Sequence, residues 1–375
     1  MVKIIEPKDS SKLAIITECL INVLPSDVTD IKFCGVHKFK EQGTSSLMYS
    51  LVIKYISEGL THKKELALRL YKEGFEERGF KEFNILRALK QRDYPVPTPY
   101  CFDKEKRKIG GAFMIMEKIV GKPVSYQIND EIGVQNIIDR MAEILAKIHE
   151  LDPDCIQNSN ILQEQFRLRQ ARLLKTLHFI KNRYMDFTGF CPPRQRRFIS
   201  AVKQLEEVTP KKICPSLLHL DYEPNHVLLS NERLFVVDWG EASIGDPAFD
   251  VGWAFHKLRL GRDPFEMDLG AHFVKCYEKY AAKRLVNLQF WKDMAILELA
   301  SWCRLLPSIG DNVLRNYGGV ADLMFGNLFG CLPRWKHVHD LRKKMSSHHT
   351  SIWSKTKYLQ DYAVRYFERD RYSQV

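Results

Sequence analysis

Two aspartates near the middle of the chain have neighbours and spacing that suit phosphate chemistry. Asp221 ends the apolar run LLHLD, and Asp238 follows in VVDWG. The stretch between them, VLLSNERLFVVDW, predicts a β-hairpin that folds Asp238 back toward Asp221. Two carboxylates in one cleft can hold a divalent cation and accept the proton of a hydroxyl group. Phosphoryl transfer has these requirements, with one aspartate as base and another on Mg²⁺ at the phosphates.

The elements that must position these aspartates differ between the two parts of the chain. Before about residue 120, the pattern predicts a helix over 10–24, strands over 31–39, 46–56 and 63–72, a helix over 79–94 and a strand over 110–123. Three prolines in DYPVPTPY predict a break after the second helix. After residue 121 the pattern is mostly helical, with an apolar stripe in VQNIIDRMAEILAKIHELDP. We therefore expect a division into residues 1–120 and 121–375.

The segment HLDYEPNHVLL…VVDWGEASIGDPAFDVG resembles the aminoglycoside phosphotransferase and choline kinase-like family, whose pattern is approximately HGDxxPxNxL…IDWExAxxGDPxxDLA. The resemblance implies an α+β, bilobal protein kinase-like fold. Its small N-lobe would be an antiparallel sheet with a helix that binds nucleotide, and its larger C-lobe would be mostly helical and hold the catalytic and substrate-binding parts.

The same resemblance assigns roles to individual residues. His219 and Asp221 become the catalytic-loop pair, with Asp221 as the base, and Asp238 becomes the metal-binding aspartate. Gly245, Asp246, Pro247 and Asp250 match the segment that follows it. We expect Asp250 to brace the catalytic loop rather than to touch substrate.

One departure from the family pattern falls on a predicted metal ligand. His226 stands where the family has a metal-binding asparagine, and Asn225 precedes it. Mg²⁺ prefers oxygen ligands, whereas imidazole suits softer metals. Three explanations stay open: Asn225 replaces the missing asparagine, His226 binds a metal such as Mn²⁺ or a phosphate directly, or the second metal site is lost.

A kinase-type N-lobe needs a cation on a strand and a glutamate on the next helix. ELALRLY supplies Arg69, and the following helix carries Glu82 on the same face as Ile85, Leu86 and Leu89. An unpaired carboxylate on an apolar face is costly. Glu82 either lies at the solvent edge of that face or pairs with Arg69, and the register favours the pair.

Further nucleotide contacts are implied by the resemblance. QGTSS resembles the short nucleotide-positioning loop, with Gly43, Ser45 and Ser46 offered to the phosphates, although an ordinary turn has the same composition. AFMIMEKIVGKP resembles the linker between lobes, with the backbone of Glu117 and Ile119 at the adenine edge, although a plain buried strand reads the same way. MAEILAKIHELDP is similar to the family's LAxLHxLDP helix. We expect His149 to be structural, because this helix lies far along the chain from the catalytic loop.

The positive charge of the chain bears on the class of acceptor molecule. The net charge is +11, and basic residues cluster after 164 at Arg167, Arg169, Arg172, Lys175, Arg194, Arg196 and Arg197. These residues are either a solvated surface or a sign that the acceptor is neutral or anionic, such as a sugar, polyol or amino alcohol. The six tryptophans are expected in the core. No P-loop pattern and no GxSxG elbow occur.

These patterns together predict an ATP-dependent small-molecule kinase that phosphorylates a hydroxyl group. ATP is the expected nucleotide with GTP as the alternative, and Mg²⁺ is the expected metal with Mn²⁺ as the alternative. The partners are a nucleotide and a small-molecule acceptor, with neither membrane nor nucleic acid, and the scattered cysteines fit a cytoplasmic protein. Competing interpretations are a weakly catalytic pseudokinase, an antibiotic-type phosphotransferase and a polyanion-binding module.

Overall fold

The structure is a computed structural model. It describes residues 10–21, 24–39, 45–104, 109–126, 131–188, 205, 207, 208, 210–260, 268–282 and 284–295. The described chain forms two compact units. One contains the part up to Tyr126 together with Asn225–Glu241, and the other contains the part from Gln127 to Pro224 and the part from Ala242 onward. The predicted division at residue 120 stays a prediction.

The first unit is built on a five-stranded antiparallel sheet. Its strands are β1 (Thr29–Lys38), β2 (Ser46–Ser57), β3 (Leu60–Tyr71), β4 (Pro99–Asp103) and β5 (Phe113–Glu117), in the order β1-β2-β3-β5-β4. The β2–β3 connection turns at Glu58 and Gly59, both of which have a positive φ, as the tight hairpin turn requires. The central strand β3 thus has paired neighbours on both sides, which fixes the side chains that it carries.

Two helices accompany this sheet. Helix α1 (Ser10–Ile21) buries Ile16 and Leu20 in the core cluster that includes Leu51 and Leu68 of the sheet. Helix α2 (Glu76–Lys90) buries Ile85, Leu86 and Leu89, which is the predicted apolar face. Burial of each such side chain contributes about 1.5–3 kcal/mol.

A small three-stranded sheet completes the first unit. It contains β6 (Lys122–Pro123), β8 (Val227–Ser230) and β9 (Arg233–Val236) in the order β6-β8-β9. Strands β8 and β9 form the predicted hairpin. Its two turn residues, Asn231 and Glu232, have φ of 45° and 61°, as a type I′ turn requires. Asp238 lies just beyond the end of β9.

The second unit is mostly helical. Its helices are α3 (Glu131–His149), α4 (Ser159–Thr188), α5 (Ala248–Leu260) and α6 (Leu269–Tyr280), and residues 288–295 are also helical. A two-stranded antiparallel ribbon joins β7 (Ser216–Leu218) to β10 (Ser243–Gly245). Strand β7 leads directly into His219 and Asp221.

The fold differs from the sequence prediction at three places. The predicted strand over 110–123 is divided into β5 in the large sheet and β6 in the small sheet. The proline-rich segment DYPVPTPY was predicted as a break, but its last two residues, Pro99 and Tyr100, begin β4 at the edge of the large sheet. Proline is tolerated as the first residue of an edge strand because no ladder hydrogen bond is lost there. Strand β10 was also not predicted, since a three-residue strand that ends in glycine has no detectable alternation.

Within the described residues, no helix is long and apolar enough to cross a bilayer. The cysteines within the described residues are free thiols: Cys19, Cys34, Cys101, Cys155, Cys214 and Cys276. The basic residues Arg194, Arg196 and Arg197 lie outside the described residues, and so does the chain after residue 295, for which the sequence also predicts mostly helix.

Candidate active site

The backbone of the loop that carries Asp221 is held by one buried carboxylate. Asp250, on helix α5, is fully buried and accepts hydrogen bonds from two successive N–H groups. The N–H of His219 donates to Oδ2 at 2.7 Å, and the N–H of Leu220 donates to Oδ1 at 2.8 Å. Asp250 therefore braces the loop from behind, as the resemblance implied. Asp221 itself is only 6% exposed.

Leu220 has a backbone conformation that is rare for its residue type. Its φ is 64°, a region that costs a residue with a Cβ roughly 1–2 kcal/mol. The family pattern has glycine at this position, which adopts such a φ without strain. The hydrogen bond to Asp250 and the burial of the leucine side chain (3% exposed) offset the strain. Asp238 also has a positive φ, of 66°, so strain occurs at both predicted site aspartates or beside them.

His149 contacts Asp250, the residue that holds the catalytic loop, and has a structural role. Its Nε2 lies 3.3 Å from Oδ2 of Asp250, and its Nδ1 lies 2.8 Å from the hydroxyl of Tyr277. Burial, together with the nearby charge of Asp250, raises the pKa of Tyr277. The hydroxyl therefore stays protonated and is able to hydrogen bond to the imidazole. His149 is thus a buried structural residue, as predicted.

A second carboxylate of the matched segment fixes the packing of the second unit. Asp246 accepts hydrogen bonds from the side-chain amide of Asn287 at 2.6 Å, the indole N–H of Trp291 at 2.8 Å and the N–H of Ala248 at 3.0 Å. These contacts tie the start of α5 to the helical residues 288–295. Asp246 therefore acts as a structural residue.

In the first unit, Arg69 lies at the centre of a buried ionic network. Its NH1 bonds Oε1 of Glu82 at 2.5 Å, and its NH2 bonds Oδ1 of Asp238 at 2.8 Å. Its Nε bonds the hydroxyl of Ser46 at 2.9 Å, and the hydroxyl of Tyr71 donates to Oε2 of Glu82 at 2.9 Å. The predicted Arg69–Glu82 ion pair is confirmed, and it extends to Asp238.

The charges of this network are set by burial and by each other. Burial lowers the pKa of Arg69, but Glu82 and Asp238 outweigh it, so the pKa of Arg69 lies above its usual range. Burial raises the pKa of Glu82, Arg69 lowers it, and the net shift is upward. Partial burial raises the pKa of Asp238, but Arg69, His226 and Arg78 bring it well below its usual range. Asp238 is therefore an ionised carboxylate with a third of its side chain exposed.

His226, not Asn225, lies beside Asp238. Nε2 of His226 is 3.9 Å from Oδ2 of Asp238. Oδ1 of Asn225 instead accepts a hydrogen bond from the hydroxyl of Ser125 at 2.7 Å. Of the three explanations for the missing asparagine, the one in which Asn225 takes its place is therefore disfavoured. An ionised aspartate beside an imidazole is a donor set that suits Mn²⁺ at least as well as Mg²⁺.

The other residues predicted to bind nucleotide differ in their burial and in their contacts. Ser46 is fully buried on Arg69, and the carbonyl of the buried Ser45 accepts from the N–H of Lys72. The N–H of Glu117 donates to the carbonyl of Thr98, so this N–H is already used by the protein. Ile119 follows the end of β5 and is partly exposed. Gly43 lies outside the described residues, and the nucleotide-binding roles stay predictions.

Sequence reasoning missed a contact that fixes the segment after Asp238. Arg78 of α2 forms an ion pair with Glu241 at 2.5 Å. Its guanidinium also lies against Gly240, where an added Cβ would come within 2.5 Å of Nε of Arg78. The family pattern has glutamate at position 240, whereas this chain has Gly240 followed by Glu241. This displacement of the glutamate by one position was the sequence signal that could have indicated the contact. The glycine makes room for Arg78.

Residues 53–286 match the family described as "Phosphotransferase enzyme family". This match covers more than half of the chain. The chain belongs to this phosphotransferase family. The family prediction made from the catalytic-loop and metal-binding segments is confirmed.

Two curated proteins and one solved structure are also similar to this chain. A mouse protein, acyl-CoA dehydrogenase family member 10, is 25% identical over 212 residues, which are 52% of this chain and 19% of that protein. Protein LicA of Haemophilus influenzae is 25% identical over 115 residues, which are 29% of this chain and 42% of LicA. The match thus spans less than half the length of each relative. The streptomycin-ATP-APH(2'')-IIa ternary complex is 18% identical with a TM-score of 0.51, and the alignment covers 84% of this chain and 98% of that one.

These similarities define the fold. The solved structure, together with the antiparallel sheet and the helices described above, shows the protein kinase-like fold that the sequence predicted. The predicted α+β fold class is therefore confirmed.

Proposed function

We propose that this phosphotransferase-family chain is an ATP-dependent kinase that transfers the γ-phosphate to a hydroxyl group of a small molecule. The observation that carries the proposal is the buried network in which Arg69 bonds both Glu82 and Asp238. Burying the Arg69–Glu82 pair costs desolvation free energy that the attraction between the two charges does not always repay. The cation and the ionised aspartate of the network are the groups that a nucleotide phosphate and a divalent metal require.

Each residue has a role in this proposal. Asp221 accepts the proton of the attacking hydroxyl group, and His219 belongs to the same loop. Arg69 holds phosphate oxygens, because a guanidinium binds them in a bidentate manner, and Ser46 and Glu82 hold Arg69 in place. Asp238 and His226 are the side chains that would hold the divalent cation. That cation, when bound, supplies positive charge to the phosphates.

The convergence of Asp221 with Asp238 remains part of the proposal. The pseudokinase interpretation is weaker because Asp221, Asp238, Arg69 and Glu82 are all present, so His226 is the main departure that favours it. ATP is the proposed donor and GTP the alternative. ATP as the donor is supported by the solved streptomycin-ATP-APH(2'')-IIa ternary complex, which has this fold and contains ATP.

The acceptor is proposed to be a neutral or anionic hydroxyl compound, not an aminoglycoside. Among the basic residues that suggested this, Arg167 forms an exposed ion pair with Glu164 at 2.6 Å, and the guanidinium of Arg169 lies 5.5 Å from the ring centre of Phe249. These two residues therefore have partners within the protein. The support for the acceptor class rests on the charge of the whole chain, which is +11.

An ADP-release screen tests the proposal. Polyols, amino alcohols, sugar phosphates and kanamycin are supplied with ATP or GTP, each with Mg²⁺ and with Mn²⁺. We expect ADP formation that depends on one acceptor class and that Asp221→Ala lowers by at least about 100-fold. ADP release unchanged in Asp221→Ala would contradict the proposed base. Higher efficiency with kanamycin than with sugar phosphates would contradict the acceptor class and favour an antibiotic-type enzyme.

A further inference from the structure

Helix α5 contacts the side chain of Asp221 as well as the backbone of its loop. The indole N–H of Trp253 donates to Oδ1 of Asp221 at 3.2 Å. Trp253 follows Asp250 by one helical turn, so both side chains lie on one face of α5. Asp250 holds the two residues before Asp221 through their N–H groups. One turn of α5 therefore contacts both the backbone of the loop, through Asp250, and the carboxylate of Asp221, through Trp253.

The indole of Trp253 is held rigidly. It is 1% exposed. The ring of Phe249 stacks parallel to it, with an interplanar angle of 9° and ring centroids 6.3 Å apart. The ammonium group of Lys257 lies 5.3 Å from the centre of the indole. A donor held in this way restricts the rotation of the carboxylate that accepts from it.

Lys257 also neutralises the acidic side chain nearest to Asp221 in sequence. Glu223 is buried, and it forms an ion pair with Lys257 at 2.7 Å. Carboxylate oxygens of Asp221 and Glu223 lie within 4.8 Å of each other. Without a partner for Glu223, repulsion between the two carboxylates would push Asp221 away from the orientation that Trp253 selects.

We infer that Trp253 is the positioning residue for Asp221, and this inference rests on the proposed function. The indole fixes one carboxylate oxygen, so that the carboxylate presents a defined orientation to the hydroxyl of the acceptor. Such a contact acts in the transition state more than in substrate binding, because it orients the base and does not touch nucleotide or acceptor. Its loss lowers kcat and leaves KM nearly unchanged.

The experiment compares two matched tryptophan variants. Trp253→Phe removes the N–H that reaches Asp221, and Trp291→Phe removes the N–H that reaches the structural Asp246 at 2.8 Å. Both indoles are buried. We expect Trp253→Phe to lower kcat about 10-fold, the equivalent of one hydrogen bond, with KM for ATP and acceptor within about twofold. We expect Trp291→Phe to lower the melting temperature with kcat within about twofold.

A spectroscopic measurement separates this inference from the proposed function. In ¹⁵N-tryptophan-labelled protein, the signal lost in Trp253→Phe identifies the indole N–H of Trp253. We expect that signal, and not the signal of Trp291, to move in Asp221→Asn. An unmoved Trp253 signal, or equal losses of kcat in the two tryptophan variants, would overturn the inference. A moved signal in a chain that phosphorylates no acceptor would instead overturn the proposed function and leave the contact established.

Discussion

At the scale of single residues, His226 is the departure from the family pattern that lies beside the metal-binding aspartate of the proposal, Asp238. Its imidazole lies 3.9 Å from the carboxylate of Asp238, whereas Asn225 is engaged by Ser125. An asparagine at position 226 would return an oxygen ligand to this place. The metal preference of the chain is therefore expected to depend on this one residue.

We predict that His226→Asn shifts the metal preference toward Mg²⁺. The ratio of the Mg²⁺-supported to the Mn²⁺-supported rate should rise by about 10-fold, because Mg²⁺ favours oxygen ligands and imidazole favours softer metals. Initial ADP-release rates over a titration of each metal give this ratio. His37→Asn, at an exposed histidine of β1, serves as the control. An equal ratio in His226→Asn and wild type would argue against His226 as a metal ligand.

Leu220 gives a second prediction at this scale. Both Leu220→Ala and Leu220→Gly remove a buried side chain and should destabilise the chain by about 2–5 kcal/mol. The φ of 64° reverses the usual order of the two, because glycine adopts it without strain. Leu220→Gly should therefore be more stable than Leu220→Ala by about 1 kcal/mol. Urea unfolding measures the difference, and a more stable alanine variant would refute the strain argument.

At the scale of elements, α5 is the helix on which the catalytic loop depends. Its Gly252 lies against the helical residues 288–295, and an added Cβ would lie 2.9 Å from the backbone N of Lys292 and the backbone C of Trp291. Backbone atoms cannot move aside as the end of a flexible side chain can. The glycine therefore permits the close approach of these two helices.

We predict that Gly252→Ala destabilises the chain by up to about 2 kcal/mol. The gain in helix propensity is about 1 kcal/mol, and the steric cost of an inserted methyl group in a packed interface is typically about 1–3 kcal/mol. The steric term should win because the contact is with backbone. Thermal unfolding checks the sign, and a variant more stable than wild type would show that the helices can separate at little cost.

At the scale of the whole molecule, global stability should depend on pH through a buried histidine. His256 is fully buried, and its Nε2 lies 2.8 Å from the carbonyl of Lys292. Burial lowers the pKa of His256 to about 3, whereas an unfolded histidine has a pKa of about 6.5. Between these values only the unfolded chain binds the proton. The stabilising contribution is therefore complete above about pH 6.5 and is lost as the pH falls toward 3.

This titration can be isolated with one variant. From pH 7.0 to pH 5.5, wild type should lose about 1.2 kcal/mol more unfolding free energy than His256→Gln, which retains a side-chain N–H but does not titrate. Denaturant unfolding at both pH values measures the loss. Parallel losses in the two proteins would show that His256 is not neutral in the folded chain.

Sequence reasoning reached much of the fold because the key patterns are local. Glu82 was predicted to pair with Arg69 because an acid on an apolar helical face requires a partner, and the hairpin before Asp238 was predicted from its turn residues. Strand β4 was missed because its prolines resemble a break. The contact between Trp253 and Asp221 was missed because a buried tryptophan is expected in any core, and which acceptor its N–H reaches depends on tertiary packing.

The spacing of Asp250 and Trp253 on α5 constrains how this protein can diverge. A single inserted residue between them would rotate the indole by about 100° around the helix axis while the aspartate stayed in place. The backbone of the loop would still be held by Asp250, but Asp221 would lose the hydrogen bond from the indole of Trp253. Length changes in these four positions should therefore be far rarer among functional homologues than substitutions.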